Sequence, residues 1–159
     1  MALKTTLAAL VLTSGLTVGA ALAQDPASAA TTPGGKAVVV RQAHYKELNA
    51  AFRGLSEQLK SETPDRAAIG FGAAKMKALA ADLPSWFPKG SGPEAGVKTA
   101  AKAEIWTDAE GFAAAATKLQ AETAKLADVA ASGDMDAVKA QVRATTGACK
   151  TCHDKYRAA

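Results

Sequence analysis

The chain has 159 residues and carries 19 Lys and Arg against 15 Asp and Glu, a formal net charge of +4. This length supports a single domain whose core needs no framework of many disulfides. The mild basic excess contains no run of five like charges, which argues against nucleic acid as the partner.

Lys4 precedes an uncharged run of Leu, Val, Ala, Thr and Gly that ends in Ala21-Leu22-Ala23. This is the pattern of a secretory signal peptide over residues 1–23. Thr13, Ser14, Gly15, Thr17 and Gly19 interrupt the run, leaving it too weak for a stable membrane span of about 20 apolar residues. Cleavage after Ala23 gives a chain beginning at Gln24, in which no later stretch is long and apolar enough to cross a bilayer. Residues 24–35, QDPASAATTPGG, are small and rich in Pro and Gly and read as a flexible leader to a domain over 36–159.

The folded pattern starts with Val38, Tyr45, Phe52 and Leu59, seven apart, with Arg41, Leu48 and Leu55 between them. This predicts a helix over about residues 37–61 with one face toward a core. Pro64-Asp65 opens a second helix, whose stripe is Ile69, Ala73, Met76, Leu79 or Ala80, and Leu83, and which Pro84 stops. Residues 84–103, PSWFPKGSGPEAGVKTAAKA, form a connection longer than most inside a compact domain, so it is expected to be functional or to cross the end of the fold. Burial of Trp86 and Phe87 is expected to pin it. A capping-box spacing at Thr107 to Glu110 starts a third helix with Phe112, Ala115 or Ala116, Leu119, Leu126 and Val129 inward, ended by Gly133. A fourth begins near Asp134 and turns Val138, Val142, Thr145, Cys149, Cys152 and Tyr156 inward. The expected fold is all-α, an antiparallel four-helix bundle.

Both cysteines fall in Cys149-Lys150-Thr151-Cys152-His153, the C-x-x-C-H signature of c-type haem attachment. Residues three apart lie on one face of a helix, so each thiol can add to one of the two porphyrin vinyl groups. His153, four residues after Cys149, lies on nearly the same face, where its ring nitrogen can ligate the iron. Other readings meet obstacles: a Cys149–Cys152 disulfide would be awkward inside a regular helix, a thioredoxin-like motif wants a preceding strand, and structural zinc lacks ligands when the only other histidine is His44.

With RQAHY at 41–45, LPSWF at 83–87, EIWTD at 104–108 and GACKTCHDKYR at 147–157, the chain resembles the class II c-type cytochromes, the cytochrome c prime family, over about residues 36–159. The resemblance implies one covalent haem c, held by thioethers at Cys149 and Cys152 near the carboxyl-terminal helix, with His153 as axial ligand. It also implies haem contacts from Arg41 and Gln42, which match an Arg-Gln pair that meets the haem edge and propionates, from Arg157 on the proximal side, and from Glu104. Arg41 lies on an otherwise apolar stripe, where a charge needs a partner.

Members of the family place the side chain that covers the open iron face four residues after that arginine. Methionine there implies a low-spin electron carrier, and a bulky non-ligand implies five-coordinate iron. Here it is Tyr45, whose ordinary pKa near 10 disfavours a tyrosinate ligand at neutral pH. His44 lies about 100° round the helix and should point away. Met76 reads as core, and Met135 begins the fourth helix about 27 Å along its axis from His153. The function expected is a periplasmic, high-spin haem protein for one-electron transfer with an unidentified redox partner, the alternative being a cytochrome that binds NO or CO. No catalytic acid or base stands near the iron, so an enzyme is not expected. Relatives of this family are often homodimers through their first two helices, which the Ala-rich faces here permit.

Overall fold

The computed structural model describes residues 26–159, so the expected signal peptide of residues 1–23 lies outside them. Six helices follow in order: α1 (Pro26–Ala29), α2 (Pro33–Gln58), α3 (Arg66–Asp82), α4 (Glu104–Thr107), α5 (Ala109–Ser132) and α6 (Met135–Tyr156). The long ones, α2, α3, α5 and α6, form the four-helix bundle. No strand is present among the described residues, only an isolated antiparallel bridge between Ala101 and Arg157.

The boundaries follow local chemistry. Thr32 caps α2, its hydroxyl accepting from the Gly35 N–H at 3.0 Å, and Pro33 occupies the first turn, where its missing donor costs nothing. The helix therefore starts ahead of the apolar periodicity and takes in the end of the leader, while Ala29 of α1 is buried. At the other end α2 stops at Gln58 rather than near residue 61. Asp65 caps α3 through Ala67 and Ala68, and Asp134 caps α6 through Asp136 and Ala137. Thr107 is not the cap of α5: Asp108 is, accepting from Gly111, because Thr107 still belongs to the separate turn α4. Gly133 ends α5 at φ +77°, a left-handed geometry that favours glycine.

Packing runs α2 on α3, α3 on α5 and α5 on α6, whereas α2 and α6 do not pack closely along their lengths among the described residues. The core divides into two ends. One holds Leu48, Leu55, Ile69, Met76, Leu126 and Val138. The other holds Leu83, Trp86, Ile105, Phe112, Leu119, Ala148 and Tyr156, with Cys149 and Cys152 packed against it, and Tyr45 touches both. The long connection crosses this second end, carrying a 3₁₀ turn at Leu83–Trp86 that buries Trp86 as expected.

Leu126 is fully buried in the first cluster, so Leu126→Ala should destabilise the fold by about 2–5 kcal/mol, read from urea unfolding. Lys118→Ala, which removes only an exposed i,i+4 pair with Glu122, should stay within about 0.5 kcal/mol.

Candidate haem-attachment site

Cys149 and Cys152 project from one face of α6 as free, half-buried thiols. Burial raises the pKa of both, so they are neutral. They lie near enough to Tyr45 across the loosely packed α2–α6 side to raise its pKa as well. The structure therefore brings the attachment pair and the expected distal residue to one place. The next residue after the pair, His153, is exposed on the last turn of α6. Partial desolvation and then the Arg157 cation hold its imidazole below the ordinary range, with Asp154 opposing. A neutral imidazole is the form that ligates a metal.

Tyr45 presents its edge to Trp86, 5.3 Å between ring centroids at 87°, and also meets Phe87 at 6.4 Å. Burial, first of all, pushes its hydroxyl far above the usual tyrosine range. The smaller push from the cysteines would vanish on conversion to thioethers, but the burial remains. His44 meets the same indole in a different way, stacked on Trp86 with ring centroids 4.8 Å apart and planes 22° from parallel. Met76 sits in the core cluster that contains neither cysteine, which agrees with a packing role.

Arg41 is 2% exposed, and its surroundings are not the carboxylates that a buried cation usually finds. Its guanidinium donates to the Trp86 carbonyl at 3.2 Å, the Ser91 hydroxyl at 3.0 Å, the Ser91 carbonyl at 2.8 Å and Thr99 Oγ1 at 3.2 Å. It also lies 4.6 Å over the Phe87 ring. Gln42 donates to the Lys98 carbonyl at 2.8 Å. The Arg-Gln pair thus grips the long connection, a role that the sequence did not reveal: Ser91 and Thr99 carry no signal beyond being small and polar. Arg157 is exposed beside His153, its N–H donating to the His153 carbonyl at 3.0 Å. Glu104 is exposed at the start of α4.

These residues fit a haem group better than a bare metal ion. Among the described residues no three His, Cys, Asp or Glu side chains gather to hold an ion, so most ligands would have to come from a macrocycle. Two unpaired thiols three apart on a helix face suit its vinyl groups, and a buried guanidinium with only neutral acceptors suits an anionic edge.

Across residues 36–157 the chain matches the family described as Cytochrome C'. The chain belongs to the cytochrome c' family. It is 36% identical to cytochrome c' of Rubrivivax gelatinosus over 126 residues, 77% of this chain and 95% of the relative. A cytochrome c' with an unusual ligand-controlled dimer dissociation superposes with a TM-score of 0.74 at 28% identity, covering 80% of this chain and 98% of the other. A nitric oxide complex of a variant cytochrome c prime from Alcaligenes xylosoxidans gives 0.71 at 29%, covering 79% and 97%. As a member of the family, this cytochrome carries one covalently attached haem c.

Replacing Arg41 by Met leaves the Trp86 and Ser91 carbonyls without their buried donor, at about 1–3 kcal/mol for each orphaned acceptor. Limited trypsin digestion should then cut after Lys89 and Lys98 faster than in the wild type.

Proposed function

We propose that this is an exported haem c protein with five-coordinate iron, whose hindered sixth position takes a small diatomic ligand such as NO or CO. Cys149 and Cys152 hold the porphyrin as thioethers, and His153 is the axial ligand. When bound, the haem supplies an iron centre able to bind such a ligand and to change oxidation state by one electron. The polypeptide decides which of these is favoured. Tyr45 carries the argument: a phenol pushed well above its ordinary pKa stays neutral, and a neutral phenol is a poor iron ligand. Wedged between Trp86 and Phe87, it shelters the open face rather than closing it with a bond. Arg41 offers the propionates a counter-charge, Gln42 and Glu104 stand as weaker edge contacts, and Arg157 lies on the proximal side.

One-electron transfer remains as the second reading, favoured by the exposure of His153, which puts the attachment helix near the surface for an unidentified redox partner. Neither reading calls for catalysis. The expected signal peptide of residues 1–23 supports a periplasmic location for this chain, and no helix among the described residues is long and apolar enough to cross a membrane. We also propose a homodimer through α2 and α3, whose outer faces leave Val39, Val40 and Phe71 exposed at 49%, 53% and 76%.

Protein recovered from the periplasm should have the mass of residues 24–159 plus one haem. Its absorption spectrum should be high-spin and should shift on adding CO after reduction, from neutral pH up to about pH 10, where an ordinary tyrosine would ionise. Tyr45→Met should convert it toward a low-spin spectrum that CO disturbs little. A low-spin wild type indifferent to CO would defeat the open-site reading. In sedimentation, the wild type should run as a dimer and Phe71→Asp as a monomer.

A further inference from the structure

We propose that Asp108 and Tyr156 form a positioning clamp that fixes the last turn of α6, and with it the direction in which His153 is presented. The inference rests on the reading of His153 as the axial ligand. The last turn of a terminal helix ordinarily frays. Here it is tied down at several points. The Tyr156 hydroxyl donates to Asp108 Oδ2 at 2.7 Å, and Lys155 Nζ reaches the same oxygen at 2.5 Å. The other carboxylate oxygen of Asp108 caps α5 by accepting from Gly111 N–H at 3.2 Å. One carboxylate therefore joins the start of α5 to the end of α6.

The surroundings hold that geometry. Tyr156 is 3% exposed, and its ring packs edge-on against Phe112 at 5.4 Å. Lys102 N–H donates to the Tyr156 carbonyl at 3.0 Å and Ala158 N–H to the Ala100 carbonyl at 2.8 Å. Gly111 is part of the design: a Cβ there would come within 2.6 Å of the Tyr156 hydroxyl oxygen and closer still to Asp108 Oδ2. Lysine and tyrosine donors together keep Asp108 below the ordinary carboxylate range. The phenol thus donates to an ionised acceptor, the stronger kind of hydrogen bond.

Tyr156 follows His153 by three residues, on the same face of the helix. Fixing the phenol fixes the rotation of that turn about its axis, and the His153 ring shares the rotation. With haem bound, His153 would hold its iron, and an imidazole fixed by this turn would be less free to shift when that iron takes a small ligand. The clamp therefore acts through His153 to weaken gas binding, without touching the ligand itself.

Tyr156→Phe keeps the ring packed on Phe112 and removes only the hydroxyl. In the haem-loaded protein it should shift and broaden the iron–histidine stretching band in the resonance Raman spectrum and slow the dissociation of CO. Gly111→Ala should reproduce both effects by forcing the two oxygens apart. Lys139→Ala, which removes an exposed ion pair with Asp136 at the other end of α6 and is of small worth, should leave both unchanged. Amide hydrogen exchange over residues 150–157 should accelerate in Tyr156→Phe and Gly111→Ala only. An unaltered band and CO rate in Tyr156→Phe, or equal changes in Lys139→Ala, would overturn the clamp. A protein lacking haem would count against the attachment reading instead, and unaltered exchange in Tyr156→Phe would still overturn the clamp in that case.

Discussion

A single buried guanidinium organises the end of the bundle where the cysteines lie. Arg41 has no carboxylate partner among the described residues. It is stabilised by two carbonyls, two hydroxyls and the face of Phe87, all from residues 86–99. Each of those oxygens would lose a buried donor without it, so the arginine and the connection depend on each other. The consequence reaches beyond stability. Trp86 and Phe87 belong to the segment that Arg41 holds, and these two rings meet Tyr45. A charged residue on α2 thereby helps set the walls of the site one turn further along the same helix.

The bundle also has an uneven fourth side. Close packing between α2 and α3, α3 and α5, and α5 and α6 leaves α2 and α6 less intimately joined. Cys149 and Cys152 on α6 and Tyr45 on α2 occupy that region. Their mutual proximity is visible in the electrostatic effect of both cysteines on the phenol. A planar group held by α6 could take the place of the missing helix-to-helix packing there.

Two ends of α6 are treated differently by the fold. Its amino terminus is capped locally by Asp134, a device contained within four residues. Its carboxyl terminus depends on distant groups, namely Asp108 and the backbone of residues 100–102. A helix end that must keep its orientation needs such outside support, since a terminal turn has few hydrogen bonds of its own.

The sequence by itself determined the four long helices, because apolar spacing, prolines and helix caps are local properties. It also determined the attachment motif, since the separation of Cys149, Cys152 and His153 becomes geometry as soon as the segment is helical. It located Tyr45 on the inward face and Trp86 under the connection for the same reason. It did not reveal that α2 starts at Pro33, where capping by Thr32 overrides the absence of large apolar residues, nor that Asp108 rather than Thr107 caps α5. The partners of Arg41, the stacking of His44 on Trp86 and the bond from Tyr156 to Asp108 join residues far apart in sequence, from the 42 between His44 and Trp86 to the 58 between Arg41 and Thr99. Only the tertiary structure decided these contacts, because hydrogen bonds between distant side chains depend on how helices and connection meet in space, for which no local spacing encodes a rule.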